Sequence, residues 1–157
     1  MFRAAIAEGT ELGLRVGPIL TSGELVPDEL TIALIRARLS SEDARAGFVL
    51  DGFPRTLVQA EALDDMLEAI GRPLDLVLFF DLDDATATER MLGRARDQAR
   101  SDDAPEVMAR RLAIYHEQTE PVADRYRSAG TLVTLAARRS VDDVFAEIEA
   151  ALAGGSA

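Results

Sequence analysis

Three short apolar runs limit what this chain can fold into: residues 47–50 (Gly-Phe-Val-Leu), 76–81 (Leu-Val-Leu-Phe-Phe-Asp) and 131–135 (Thr-Leu-Val-Thr-Leu). Each is too short for a helix and carries Val, Leu or Phe on consecutive positions, the pattern of strands covered on both faces. Helical patterns separate them. Pro27 with Asp28 and Glu29 makes a good first turn, and that helix should run to about Leu39, burying Leu30, Leu34 and Ile35. A second spans about 57–70, stopped by Gly71 and Pro73, and a third about 85–94. A longer one starts at Pro105 and continues towards Tyr126. The last begins at Ser140, with Asp143 three residues on as a near capping box and Val144, Phe145, Ile148 and Leu152 as its apolar stripe. The tail from Gly154 to Ala157 is expected to fray. Strands alternating with helices imply parallel pairing through right-handed crossovers, so the fold class is α/β.

At 157 residues the chain is about one domain, and 48% hydrophobic with 29% charged residues is a globular balance. The net charge of −11 argues against a general nucleic-acid or anionic-membrane binder, which would need a basic footprint. No apolar stretch approaches the roughly 18 residues of a membrane span. The N-terminus lacks a signal-peptide layout, so a cytoplasmic location is expected. Cysteine is absent, which removes disulfides and cysteine-ligated zinc. All 17 basic residues are arginine, so no lysine-dependent chemistry can be built from these residues.

Asp51-Gly52-Phe53-Pro54-Arg55-Thr56 follows the first apolar run directly. A carboxylate and a guanidinium presented at the carboxyl end of a strand suit a metal-bound phosphate. Asp51 and Asp81 each close an expected strand, placing both carboxylates on one edge of a parallel sheet, where α/β ligands bind. Two acids acting through water suffice for magnesium, although Asp81 could equally cap the next helix. Arg90, Arg94, Arg96, Arg100, Arg110 and Arg111 cluster in residues 90–111. They form either a salt-bridged solvent face or a set of guanidiniums folded over an anion by the polar segment from Gly93 to Ser101. His116 is the only histidine and receives no role.

With Gln59 three residues after Thr56, the hexapeptide resembles the signature of adenylate kinases among the nucleoside monophosphate kinases. Ser22 to Leu30, Gly93-Arg94 to Asp103, Arg111-Leu112 and Tyr115 to Pro121 are similar to that family as well, from Met1 to roughly Ala151. The resemblance implies a phosphate-loop kinase-like parallel sheet with helices on both faces. Within it, about 4–39 would be the AMP-binding helical part, about 94–103 a short lid, and the remainder core. Arg3, Leu25, Val26, Gly52, Arg55 and Gln59 match AMP-binding positions. Arg90, Arg94, Arg100 and Arg111 match arginines that clamp the phosphates, and Asp51 matches the acid near the magnesium, with Asp81 as its companion through water. The implied reaction is ATP + AMP giving two ADP, with Mg2+ accompanying ATP and the full-length form a monomer.

Two departures carry expectations of their own. Family members begin with a strand, a Gly-rich loop ending in Gly-Lys, a helix and a Ser-Thr-Gly-Asp turn, which this chain does not contain. The expectation is that a unit on the order of 30 residues is missing, with the start set at an internal methionine. Little kinase activity and poor stability would follow for these residues alone, because the absent strand would leave unpaired edges. The alternatives are an AMP-binding pseudo-kinase, or a fragment completed by a separate phosphate-loop segment. The second departure is Ala136-Ala137, where the family has Asp-Gly near the ATP adenine. Arg138 and Arg139 are partial substitutes there, and Arg138 joins Arg90 and Arg94 as an expected ATP contact.

Overall fold

Two of the three apolar runs pair with each other. In the computed structural model, which describes residues 1–98 and 104–154, Val77–Asp81 is β1 and Leu132–Ala136 is β2. They run parallel in register, from Val77 opposite Leu132 to Asp81 opposite Ala136. Beyond the strands, the Val77 N–H donates to Thr131 O at 2.9 Å and the Ala137 N–H to Asp81 O at 3.1 Å.

The third run departs from expectation. Residues 47–50 are irregular, and Val49 is 94% exposed. Apolar residues become a strand only when a neighbour takes up their backbone groups. Among the described residues the sheet has just β1 and β2, and neither pairs with this run. Asp51 therefore follows a loop, not a strand end. The expected cover on both faces of β1 is also incomplete, since Phe80 is 51% exposed.

The helices in chain order are α1 (Phe2–Ala7), α2 (Glu11–Thr21), α3 (Asp28–Leu39), α4 (Leu57–Ala69), α5 (Asp84–Gln98), α6 (Pro105–Ile114), α7 (Glu120–Ser128) and α8 (Val141–Gly154). None among the described residues is long and apolar enough to cross a membrane. They fall into two compact units, Met1–Phe48 with Thr88–Glu117, and Val49–Ala87 with Gln118–Ala157.

In the first unit, α1 and α2 form a tight hairpin. Thr10 caps α2, its Oγ1 accepting from the Gly13 N–H at 3.1 Å and donating to Ala5 O at 3.1 Å. A Cβ on Gly13 would sit 2.1 Å from that same carbonyl oxygen, so only glycine lets the helices meet. Pro27 is the N-cap of α3, not its first residue, with Asp28 and Glu29 in the first turn. Ile35 and Leu39 are buried, while Leu30 and Leu34 are half-buried. The Arg38 guanidinium grips the Asp43 carboxylate at 2.9 and 2.8 Å, tying α3 to a short 3-10 turn at Glu42–Arg45.

The core of the second unit lies between α4, α7 and the sheet. Ala60, Val122 and Tyr126 pack together, with Leu74, Val77 and Leu132 against them. Asp64 on α4 accepts from Arg125 Nη2 at 2.7 Å and from the Tyr126 hydroxyl at 3.2 Å, joining the two helices at the edge of that core. Ser140 caps α8 as expected, its Oγ accepting from the Asp143 N–H at 3.2 Å. The apolar stripe of α8 is only partly used, with Val144 and Ile148 half-buried and Phe145 and Leu152 exposed. The helix packs chiefly on β2, and a single five-residue strand is too narrow to cover four side chains.

The long helix expected from Pro105 towards Tyr126 is interrupted. A π-turn at Tyr115–Thr119 separates α6 from α7, and Pro121 follows at once. Proline lacks the N–H and crowds the carbonyl four residues back, so the widened turn relieves it. In contrast α5 runs further than expected, to Gln98, and the fraying tail at 155–157 lies outside the described residues.

Gly13→Ala is expected to cost about 1–3 kcal/mol, from a clash that only a backbone shift can relieve, measured by denaturant unfolding. Burial, reinforced by the Asp64 carboxylate, raises the Tyr126 hydroxyl pKa above its ordinary 10.0. A folded value above the unfolded one means that this stability is fully present below pH 10 and declines as pH rises towards the folded value. Unfolding curves between pH 8 and 11 should show a smaller alkaline loss in Tyr126→Phe than in the parent.

Candidate functional site

The 51–56 loop is built around Arg55. Gly52 adopts φ +70°, a left-handed conformation that glycine takes without strain. Its carbonyl accepts from Arg55 Nε at 2.8 Å, and a Cβ at Gly52 would lie 2.8 Å from Arg55 Nη2. Phe53 is buried and anchors the loop. Thr56 caps α4, its Oγ1 accepting from the Gln59 N–H at 3.1 Å, and Gln59 Oε1 accepts from the Arg55 N–H at 2.8 Å. From the residue preceding α7, the Thr119 hydroxyl donates to Arg55 O at 2.9 Å. Both backbone groups of Arg55 are thus taken up while its side chain stays exposed. Gln59, one of the expected AMP contacts, is 2% exposed and holds this loop.

At the carboxyl ends of β1 and β2, Asp81 is exposed, as is Asp51 in its loop. Asp83 caps α5, its Oδ1 accepting from the Thr86 N–H at 3.0 Å and its Oδ2 from the Thr86 hydroxyl at 2.8 Å. Arg138, in the loop after β2, donates to the same Oδ2 from Nε at 2.7 Å. The two Thr86 bonds, with Arg138 beside them, hold the Asp83 carboxyl well below the usual carboxylate range. Arg139 pairs with Glu147 on α8.

The remaining expected residues belong to the first unit. Arg3 is exposed on α1, Leu25 half-buried and Val26 buried. Arg90 and Arg94 lie four apart on α5 and so share a face. Arg111 on α6 is half-buried, and its Cγ would be 3.2 Å from a Cβ at Gly23, a left-handed residue at φ +82°. Arg110 is engaged with Glu24, a structural use of one member of the arginine cluster. Residues 99–103 of the expected lid, Arg100 among them, lie outside the described residues.

The structure therefore joins Gly52, Arg55 and Gln59 in one hydrogen-bonded loop, and sets the segment carrying Leu25 and Val26 beside Arg111. Sequence reasoning missed Thr119 and Asp83. Asp83, three residues before Thr86, carries the spacing of a helix cap and could have been found. Thr119 lies in the Tyr115–Pro121 stretch that resembles the family, but its bond to Arg55 spans 64 residues and no local pattern announces it.

A parallel strand pair with acids at its carboxyl end and an arginine-bearing turn beside it is the organisation of a nucleoside monophosphate kinase-like α/β protein. The chain belongs to the adenylate kinase family, whose description "Adenylate kinase" matches residues 1–131. It is 48% identical over 157 residues to a protein named adenylate kinase from Phenylobacterium zucineum (strain HLK1), covering 100% of this chain and 83% of that one. It is 49% identical over 152 residues to an adenylate kinase of Caulobacter vibrioides (strain NA1000 / CB15N), covering 97% and 80%. A third, from Thermobifida fusca (strain YX), is 46% identical over 144 residues, covering 92% and 76%. Membership places the chain in a family of nucleotide kinases, which are transferases.

Gly9 and Gly52 give a matched comparison. Gly9, at φ +66°, has open space where a Cβ would stand, whereas Gly52 has Arg55 there. Alanine at either site should cost about 1–2 kcal/mol for the left-handed backbone. Only Gly52→Ala should also shift the Arg55 Nε–H resonance in an NMR spectrum.

Proposed function

We propose that the chain acts on the acceptor AMP and the donor ATP, giving two ADP by direct in-line phosphoryl transfer. The observation that carries this reading is the way Arg55 is held, with its backbone locked by Gln59 and Thr119 and its guanidinium laid over Gly52. A pre-ordered guanidinium loses little freedom on meeting a phosphate and can grip two oxygens at once.

On this reading Arg3 and Arg55 bind the AMP phosphate, Gly52 and Gln59 shape the turn against the nucleotide, and Leu25 and Val26 line the adenine pocket. Arg90, Arg94, Arg100 and Arg111 gather the transferring phosphoryl group, and Arg138 contacts ATP. An AMP phosphate oxygen attacks the γ-phosphorus of ATP, the bond to the β-phosphate oxygen breaks, and its electrons leave with ADP. No residue of the chain is phosphorylated; orientation and arginine charge lower the barrier.

Among the described residues no group of three or more His, Asp or Glu side chains gathers as a metal cage. Asp51 and Asp81 are each an exposed carboxylate of the kind magnesium takes, one or two beside substrate phosphates while most of its waters are kept. These two would hold it through water, and when bound with ATP it would neutralise phosphate charge.

The absence of lysine from the 157 residues favours a second reading, in which this polypeptide by itself binds AMP without turnover. Calorimetric titration with AMP, beside a coupled assay of ADP formation, separates the two. Both readings expect AMP binding that Arg55→Ala weakens about tenfold to a hundredfold, the loss of a charge-assisted hydrogen-bonded pair. ADP formation supports the kinase reading and its absence the second; unchanged AMP affinity in Arg55→Ala would sink both.

A further inference from the structure

We infer that Asp83 is a positioning residue for the donor nucleotide, acting by orienting the guanidinium of Arg138 at the carboxyl end of the strand pair. The inference rests on the reading of Arg138 as an ATP contact.

Arg138 sits in a turn whose backbone is already fixed. On one side the Ala137 N–H donates to Asp81 O at 3.1 Å, and on the other the Arg139 N–H donates to Ala136 O at 3.1 Å. Ala137 is buried, which pins the turn to the sheet. The long side chain of Arg138 would remain mobile on this fixed base were it not for Asp83. Both Nε, at 2.7 Å, and Nη2, at 2.6 Å, meet one oxygen, Oδ2. That oxygen also accepts from the Thr86 hydroxyl, while Oδ1 takes the Thr86 N–H, so the carboxylate cannot swing.

Engaging one edge of the guanidinium sets the direction of its plane and leaves the Nη1 side for an anionic oxygen or a base. The pair is solvent-exposed, with 67% of the Arg138 side chain and 39% of the Asp83 side chain accessible. Ion pairs of this kind add little to folding stability, so the consequence of this one is orientation. A ligand meeting an ordered arginine does not have to immobilise it.

Asparagine caps helices as well as aspartate does, so Asp83→Asn keeps the bond to the Thr86 N–H while removing the charge that holds Arg138. In calorimetric titrations this variant should bind ATP about threefold to tenfold more weakly, the cost of ordering one long side chain, with AMP affinity unchanged. Arg138→Met should weaken ATP binding too, and Asp83→Asn added to it should cause no further loss. If Arg138→Met weakens ATP binding and Asp83→Asn does not, the positioning role is overturned while Arg138 keeps its assignment. If Arg138→Met leaves ATP binding unchanged, the donor-contact reading fails and the inference goes with it. Equal losses for ATP and AMP with a lowered melting temperature would mark Asp83 as structural only and overturn the proposal. Should Asp83→Asn fold poorly, Thr86→Val replaces it. That variant removes one of the bonds fixing Oδ2, and it should show the same ATP-selective loss; no loss would overturn the proposal.

Discussion

Everything that reaches the carboxyl end of the second unit depends on the parallel ladder between β1 and β2. Because the strands run the same way and in register, Asp81 and Ala136 finish opposite each other. The chain leaves both strands on one edge, which brings Asp83 within reach of Arg138 though they are 55 residues apart. An antiparallel pairing would have sent these two loops to opposite ends. The parallel direction of this small sheet therefore decides which charges can meet.

Charge pairing is the second organising theme. The chain is strongly acidic, yet its acids are repeatedly set against arginines: Asp43 with Arg38, Asp64 with Arg125, Asp83 with Arg138 and Glu147 with Arg139. Most of these pairs are exposed and contribute modestly to stability. Their shared effect is to restrict long side chains that would otherwise sample many rotamers.

Much of the fold was legible in the sequence because its signals are local. The apolar runs at 76–81 and 131–135, the cap at Ser140 and the stop at Gly71 all depend on neighbours within a few residues, and each lies within a residue or two of its expected place. The run at 47–50 was misread because a strand is a property of two segments, and composition describes one. Pro121 announced the break between α6 and α7, but a strong helical pattern on both sides masked it. At the site, Gly52, Arg55 and Gln59 could be picked out from their residues and from the family resemblance. Their mutual bonds, with Gly52 receiving the Arg55 side chain, required coordinates.

The hydroxyl of Thr119 resting on the Arg55 carbonyl has a consequence for how this turn comes to exist. The bonds from Arg55 to Gly52 and from Gln59 to Thr56 each close over three residues, and a short peptide could form them at once. The bond from Thr119 spans 64 residues and sits among the contacts of Arg125 and Tyr126 with Asp64, which span 61 and 62. Contacts of such separation pay loop-closure entropy before they return anything. The turn is thus written locally but completed only when α7 docks on α4, so its final shape belongs to the late, cooperative part of folding.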